Sequence, residues 1–121
     1  SVIGVLAQRL VRKICEKCKQ PLKIPDEFLE ELEIHNKNAV FYEGVGCKEC
    51  NKLKYSGRTA IHEFFIMTDE IRQLITKRAS DSEIFALAKK QGMRTLREAG
   101  IDKAKRGFTT LEEVLNVTRR E

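Results

Sequence analysis

Cys15-Glu16-Lys17-Cys18 and Cys47-Lys48-Glu49-Cys50 hold all four cysteines of the chain, in two Cys-x-x-Cys pairs. Each pair forms a tight knuckle that turns two sulfurs toward one point. Two knuckles together supply four soft, anionic donors, the set that tetrahedral Zn²⁺ prefers. The 28 residues from Lys19 to Gly46 separate the pairs, a gap somewhat longer than that of an ordinary zinc ribbon. Two disulfides or four free thiols are the alternatives. Disulfides suit small secreted domains, and nothing here has that character. A thioredoxin-type motif uses one pair only and leaves the second unexplained. With four thiolate ligands no coordination position stays open for substrate, so the expected metal is structural.

Outward from the knuckles, the fold class reads as α+β: a small four-cysteine zinc lobe with short strands, followed by a C-terminal bundle of short helices. Before the first pair, Ile3, Leu6, Ala7, Leu10 and Ile14 recur at helical spacing. They predict a helix over residues 2–13, its stripe in the core and Arg9, Arg12 and Lys13 on a solvated face. Lys19 to Ile24 reads as irregular, punctuated by Pro21 and Pro25. Pro25-Asp26-Glu27 opens a short helix that ends near Ile34. Ala39 to Glu43 reads as a strand, and Gly44 and Gly46 as bends that turn backbone amides toward the thiolates.

After the second pair, Arg58 to Met67 is rich in β-branched and aromatic residues and predicts a strand. Tyr42 and Tyr55 are candidates to pack around the metal lobe. Four capped helices follow. Thr68 precedes two acids. Ser80-Asp81-Ser82-Glu83 and Thr109-Thr110-Leu111-Glu112 read as capping boxes, and Thr95 caps the helix between Gly92 and Gly107. Gly100 lies inside that helix and is a possible break. The resulting divisions are 1–14, 15–67 and 68–121.

Composition fits a soluble globular chain of 121 residues, 41% hydrophobic and 34% charged, with net charge +5. That balance admits an acidic partner without choosing one. No run approaches the ~18 apolar residues of a membrane span. The apolar N-terminus lacks a charged n-region and does not read as a signal peptide; the expected compartment is the cytosol. The chain begins in mid-pattern, without Met, and reads as a piece of something longer. It carries no phosphate loop and no nucleophile–base set. His35 reads as an exposed loop residue and His62 as a strand residue, a spare metal ligand at most. Glu30-Glu31 and Glu112-Glu113 read as helix faces. A free-standing zinc module that binds nucleic acid is the alternative function, given Arg9, Arg12, Lys13, Lys17, Lys19 and Lys23, but no helix gathers cations with interleaved aromatics.

Longer stretches resemble a known family. Val5-Leu6-Ala7-Gln8-Arg9-Leu10-Val11-Arg12-Lys13-Ile14-Cys15 and Tyr55-Ser56-Gly57-Arg58-Thr59-Ala60-Ile61-His62-Glu63 resemble the flanks of the tetracysteine motif in secretion ATPases. Met93-Arg94-Thr95-Leu96-Arg97-Glu98-Ala99-Gly100 and Gly107-Phe108-Thr109-Thr110-Leu111-Glu112-Glu113-Val114-Leu115 resemble the same family's end. Ala60 and Phe108 depart from it. The family comprises type II secretion and type IV pilus assembly ATPases; pilus retraction ATPases lack the four cysteines.

The resemblance implies a cytoplasmic, homo-hexameric P-loop ATPase, peripheral to the bacterial inner membrane and docked on platform proteins there. ATP, Mg²⁺ and the catalytic residues would belong to an upstream core, with no catalysis by this chain alone. Residues 1–14 would then end that core, and the structural Zn²⁺ would be held by Cys15, Cys18, Cys47 and Cys50. No nucleic-acid partner and no membrane span are expected. Arg58, after Gly57, could present its guanidinium fork at a subunit or domain interface, with Arg9 as a second candidate; the alternative for Arg58 is an edge-strand cation in water.

Overall fold

The computed structural model describes residues 2–119. Two long strands, β1 (Val2–Ile14) and β4 (Tyr55–Met67), pair antiparallel as a ribbon. The 40 residues between them, 15–54, form the lobe. It holds a second ribbon, β2 (Lys19–Leu22) with β3 (Phe41–Gly44), and the short helix α1 (Asp26–Glu31). Beyond the long ribbon come α2 (Asp69–Thr76), α3 (Asp81–Lys90), α4 (Leu96–Lys105) and α5 (Leu111–Val117). The architecture is α+β, as the residue pattern predicts.

The stretch 2–13 is not the expected helix. Five of the thirteen β1 residues are β-branched, and β4 offers a partner of equal length, so cross-strand pairing overrides the coincidental 3.6-residue stripe. Most of the stripe is not core: Leu6 and Leu10 are exposed, Ile14 alone of its described members is buried, and Val11, which lies off the stripe, is fully buried. Bulges between Val5 and Ala7 and between Arg12 and Ile14 shift the register along the ribbon. Lys19–Leu22 is likewise a strand, not an irregular stretch. Pro21, which has no N–H to donate, is accommodated because β2 has one partner only.

The lobe and the last helices share one core. Leu29, Ile34 and Phe41 from the lobe pack with Ala104, Leu111 and Val114 from α4 and α5. Gly100 does not break α4. It is buried, and a Cβ there would meet Val114 Cγ1 at 2.5 Å, so glycine lets the two helices close. The caps fall as read at Thr68, Ser80 and Thr95, each accepting a hydrogen bond from a backbone N–H three residues on. The reciprocal box closes at Thr95 with Glu98. At Ser80 the hydroxyl instead donates to the Glu83 carboxylate, and α5 is capped by Thr110 with its third residue, Glu113, turned elsewhere. Among the described residues no helix is long and apolar enough to cross a membrane.

Candidate metal centre

β1 delivers Cys15 at its end, and the second knuckle folds back onto it. The Cys15 N–H donates to Lys54 O at 3.0 Å, and the Val45 N–H to Cys18 O at 3.3 Å. Within the second knuckle the Lys52 N–H donates to Cys47 O at 2.8 Å. These bonds bring residues 32 apart in sequence into one corner. Gly46 has φ +92°, a conformation that glycine adopts without cost, and it leaves the Cys47 N–H donating to Cys50 Sγ at 3.3 Å. Gly44 answers a different need: a Cβ there would lie 2.3 Å from Lys54 O.

The four Sγ atoms lie within 4.8 Å of one another. The Cys15–Cys47 and Cys18–Cys50 separations are 3.8 Å, and Cys47–Cys50 is 3.7 Å. A disulfide would need about 2.05 Å. A tetrahedral ion with metal–sulfur bonds of about 2.3 Å sets its sulfurs about 3.8 Å apart. The four cysteines therefore could hold a metal ion, and the spacing fits one as it stands. Burial raises the Cys50 thiol, but the N–H groups of Cys47 and Lys54 and the sulfurs of Cys47 and Cys18 outweigh it. The net effect lowers Cys50 from 9.0 to about 6, which favours the thiolate a metal needs.

His62 and His35 lie outside this cluster. His62 sits on β4 opposite Gln8, its ring 6.0 Å from that of Phe64, and His35 is exposed. Arg58 is exposed on β4, directly opposite Arg12, and pairs with no acid among the described residues. Arg9 lies opposite Ile61 and lines a cavity of about 960 Å³ with Glu63, Arg94 and Arg97. The structure does not bring Arg9 and Arg58 together with the cysteines.

Sequence reasoning missed the contact beside the centre. Arg12, assigned to a solvated face, makes a forked pair with Glu113, donating Nε to Oε2 at 3.0 Å and Nη2 to Oε1 at 2.9 Å. Its backbone N–H donates to Oε2 at 2.9 Å, and its carbonyl accepts from the Thr109 hydroxyl at 2.7 Å. The guanidinium lies 4.2 Å from the Tyr55 ring centroid, and the Tyr55 hydroxyl meets that of Thr110 at 2.9 Å. Two residues further along β1, the Ile14 N–H donates to Phe108 O at 3.0 Å. Residues 108–113 thus cover the free edge of β1 where it enters the first knuckle. The box read as Thr109 with Glu112 falls one residue early: the cap is Thr110, and Glu113 leaves it for the strand edge.

The fold and the site define a tetracysteine lobe inserted in a β-ribbon and braced by C-terminal helices. Residues 1–116 match the family described as type II/IV secretion system protein, and the chain belongs to that family. It is 48% identical to the type IV pilus assembly ATPase PilB of Thermus thermophilus over 118 residues, 95% of this chain and 13% of that protein. It is 42% identical to the type II secretion system protein HxcR of Pseudomonas aeruginosa, over 98% of this chain and 22% of the relative. With the type II secretion system ATPase E of Vibrio cholerae the identity is 38%, over 98% of this chain and 24% of the relative. The chain therefore spans about a quarter or less of these relatives.

Proposed function

We propose that the chain is the zinc-binding and helical C-terminal region of a hexameric P-loop ATPase that powers type II secretion or type IV pilus assembly. The match over residues 1–116 to secretion proteins carries this reading. Cys15, Cys18, Cys47 and Cys50 would hold one structural Zn²⁺, whose chemistry is to fix the two knuckles against each other. ATP and Mg²⁺ would bind an upstream core, and the platform proteins at the inner membrane would be partners of the whole motor on its cytoplasmic side.

In this reading the chain's own residues transmit rather than catalyse. The metal fixes the end of β1, and Arg12 with Glu113 ties that end to α5. Arg58, projecting unpaired from the ribbon, would meet an acid or a phosphate across a subunit or domain boundary, and Arg9 would do so less directly. The test is complementation with the full-length gene in a cell lacking its motor. Cys15→Ser and Cys47→Ser should abolish secretion or piliation, and Arg58→Lys should fold and bind zinc yet lose hexamer-stimulated ATP turnover. Full activity of the cysteine variants would refute the metal's role; full turnover of Arg58→Lys would return that residue to solvent.

A further inference from the structure

We propose that Cys47 is an oxidation site: a hydroperoxide oxidises it, it closes a disulfide with Cys50, and the centre then releases its ion. The inference rests on the zinc reading above and goes beyond it, because it makes the four ligands unequal. Cys15, Cys18 and Cys50 are 3%, 7% and 5% exposed, whereas Cys47 stands partly open to solvent. Buried structural cysteines are inert, and oxidation selects the thiolate that an oxidant can reach. Metal binding requires the thiolate form, so the reachable ligand is held in the state that reacts.

Two sulfurs compete to resolve the oxidised Cys47. Cys50 Sγ lies 3.7 Å away and Cys15 Sγ 3.8 Å, so distance does not choose between them. Anchoring does. Cys15 follows Ile14, whose N–H is bonded to Phe108 O, and Arg12, whose N–H is bonded to Glu113. Moving Cys15 pulls on β1 and on its brace. The second knuckle is bonded largely to itself: the Lys52 N–H to Cys47 O at 2.8 Å, the Leu53 N–H to Cys50 O at 3.0 Å and the Asn51 N–H to Lys48 O at 3.2 Å. A disulfide needs the Cys47 and Cys50 sulfurs to close by about 1.6 Å, a movement contained in that one turn.

The chemistry is a two-electron oxidation in two displacements. The Cys47 thiolate attacks one oxygen of the peroxide. An S–O bond forms, the O–O bond breaks, and the second oxygen leaves as hydroxide, which water protonates. The Cys50 thiolate then attacks the Cys47 sulfur. The S–S bond forms, the S–O bond breaks, and a second hydroxide leaves. The pair of thiolates loses the two electrons that the peroxide gains. Cys15 and Cys18 remain as the only donors, half the set that a closed structural site requires, and the ion is released.

The test treats the reduced chain, its zinc content measured beforehand, with hydrogen peroxide beside a chromogenic zinc chelator. One zinc is expected to be released per disulfide formed. Peptide mapping should find Cys47 joined to Cys50, with Cys15 and Cys18 still open to alkylation. Dimedone present during the oxidation should label Cys47. A dithiol reductant with added zinc should restore the centre. Cys47→His keeps a donor set of three cysteines and one histidine, and should hold its ion through peroxide that empties the wild type. Should that variant fail to hold zinc, the wild-type map decides alone. A first disulfide that includes Cys15 or Cys18, dimedone on a buried cysteine in place of Cys47, or zinc retained after peroxide has oxidised the methionines overturns the proposal. A folded chain that holds no zinc at the outset overturns the metal reading, and this proposal with it.

Discussion

Glu113 is the one acid buried among the described residues. Its side chain is 8% exposed, and burial alone would raise its pKa. Hydrogen bonds from the Arg12 guanidinium and backbone N–H, with the attraction of the charge, outweigh that and hold it below its ordinary 4.5. A carboxylate depressed in the folded state adds stability above the unfolded pKa and loses it as pH falls through the folded one. The Arg12 side chain is 54% exposed, so solvent screens part of the gain. Glu113→Gln is expected to cost about 1–2 kcal/mol near neutral pH, mainly through weakened hydrogen bonds at the strand edge. Denaturation followed from pH 7 downward should show the gap between wild type and variant closing below about pH 4.5. A gap that stays constant with pH would mean that the charge contributes nothing.

At the scale of elements, the C-terminal helices were legible because cap chemistry is local: Thr68, Ser80 and Thr95 each act within three residues, and the last cap, read at Thr109, falls one residue on at Thr110. The cysteine pairs were legible because their spacing is itself the geometry of a knuckle. The first strand was not. Its helical stripe of Leu6, Ala7 and Leu10 competed with pairing to a strand about fifty residues away, and a long-range partner leaves no mark in a local window. The same limit hid the role of Gly100, which looked like a weak point in α4 and is the contact point with α5. Gly100→Ala would ordinarily raise helix propensity by about 1 kcal/mol. Here the added methyl would press on Val114, so a net loss of about 1–3 kcal/mol is expected from overpacking. Thermal melts of the variant decide this, and a raised melting temperature would show that α5 yields freely.

For the whole molecule, the metal lobe and the C-terminal helices are joined in two ways. They share the core of Leu29, Phe41, Ala104 and Val114, and residues 108–113 brace the strand that enters the first knuckle. Metal removal should therefore loosen more than the knuckles. Hydrogen exchange after chelation is expected to rise first in residues 15–22 and 44–55 and then in α5. The packing of α2 against α3 around Ile71 and Ala88 should be spared longest. Uniform loss of protection would instead indicate a single cooperative unit. All of this depends on one ion bound by four sulfurs. Metal analysis with zinc-edge X-ray absorption, on protein purified without added zinc, tests that most directly. One zinc per chain, surrounded by four sulfurs at about 2.3 Å, is the predicted result. A folded chain without metal, or zinc held by nitrogen and oxygen, would contradict it.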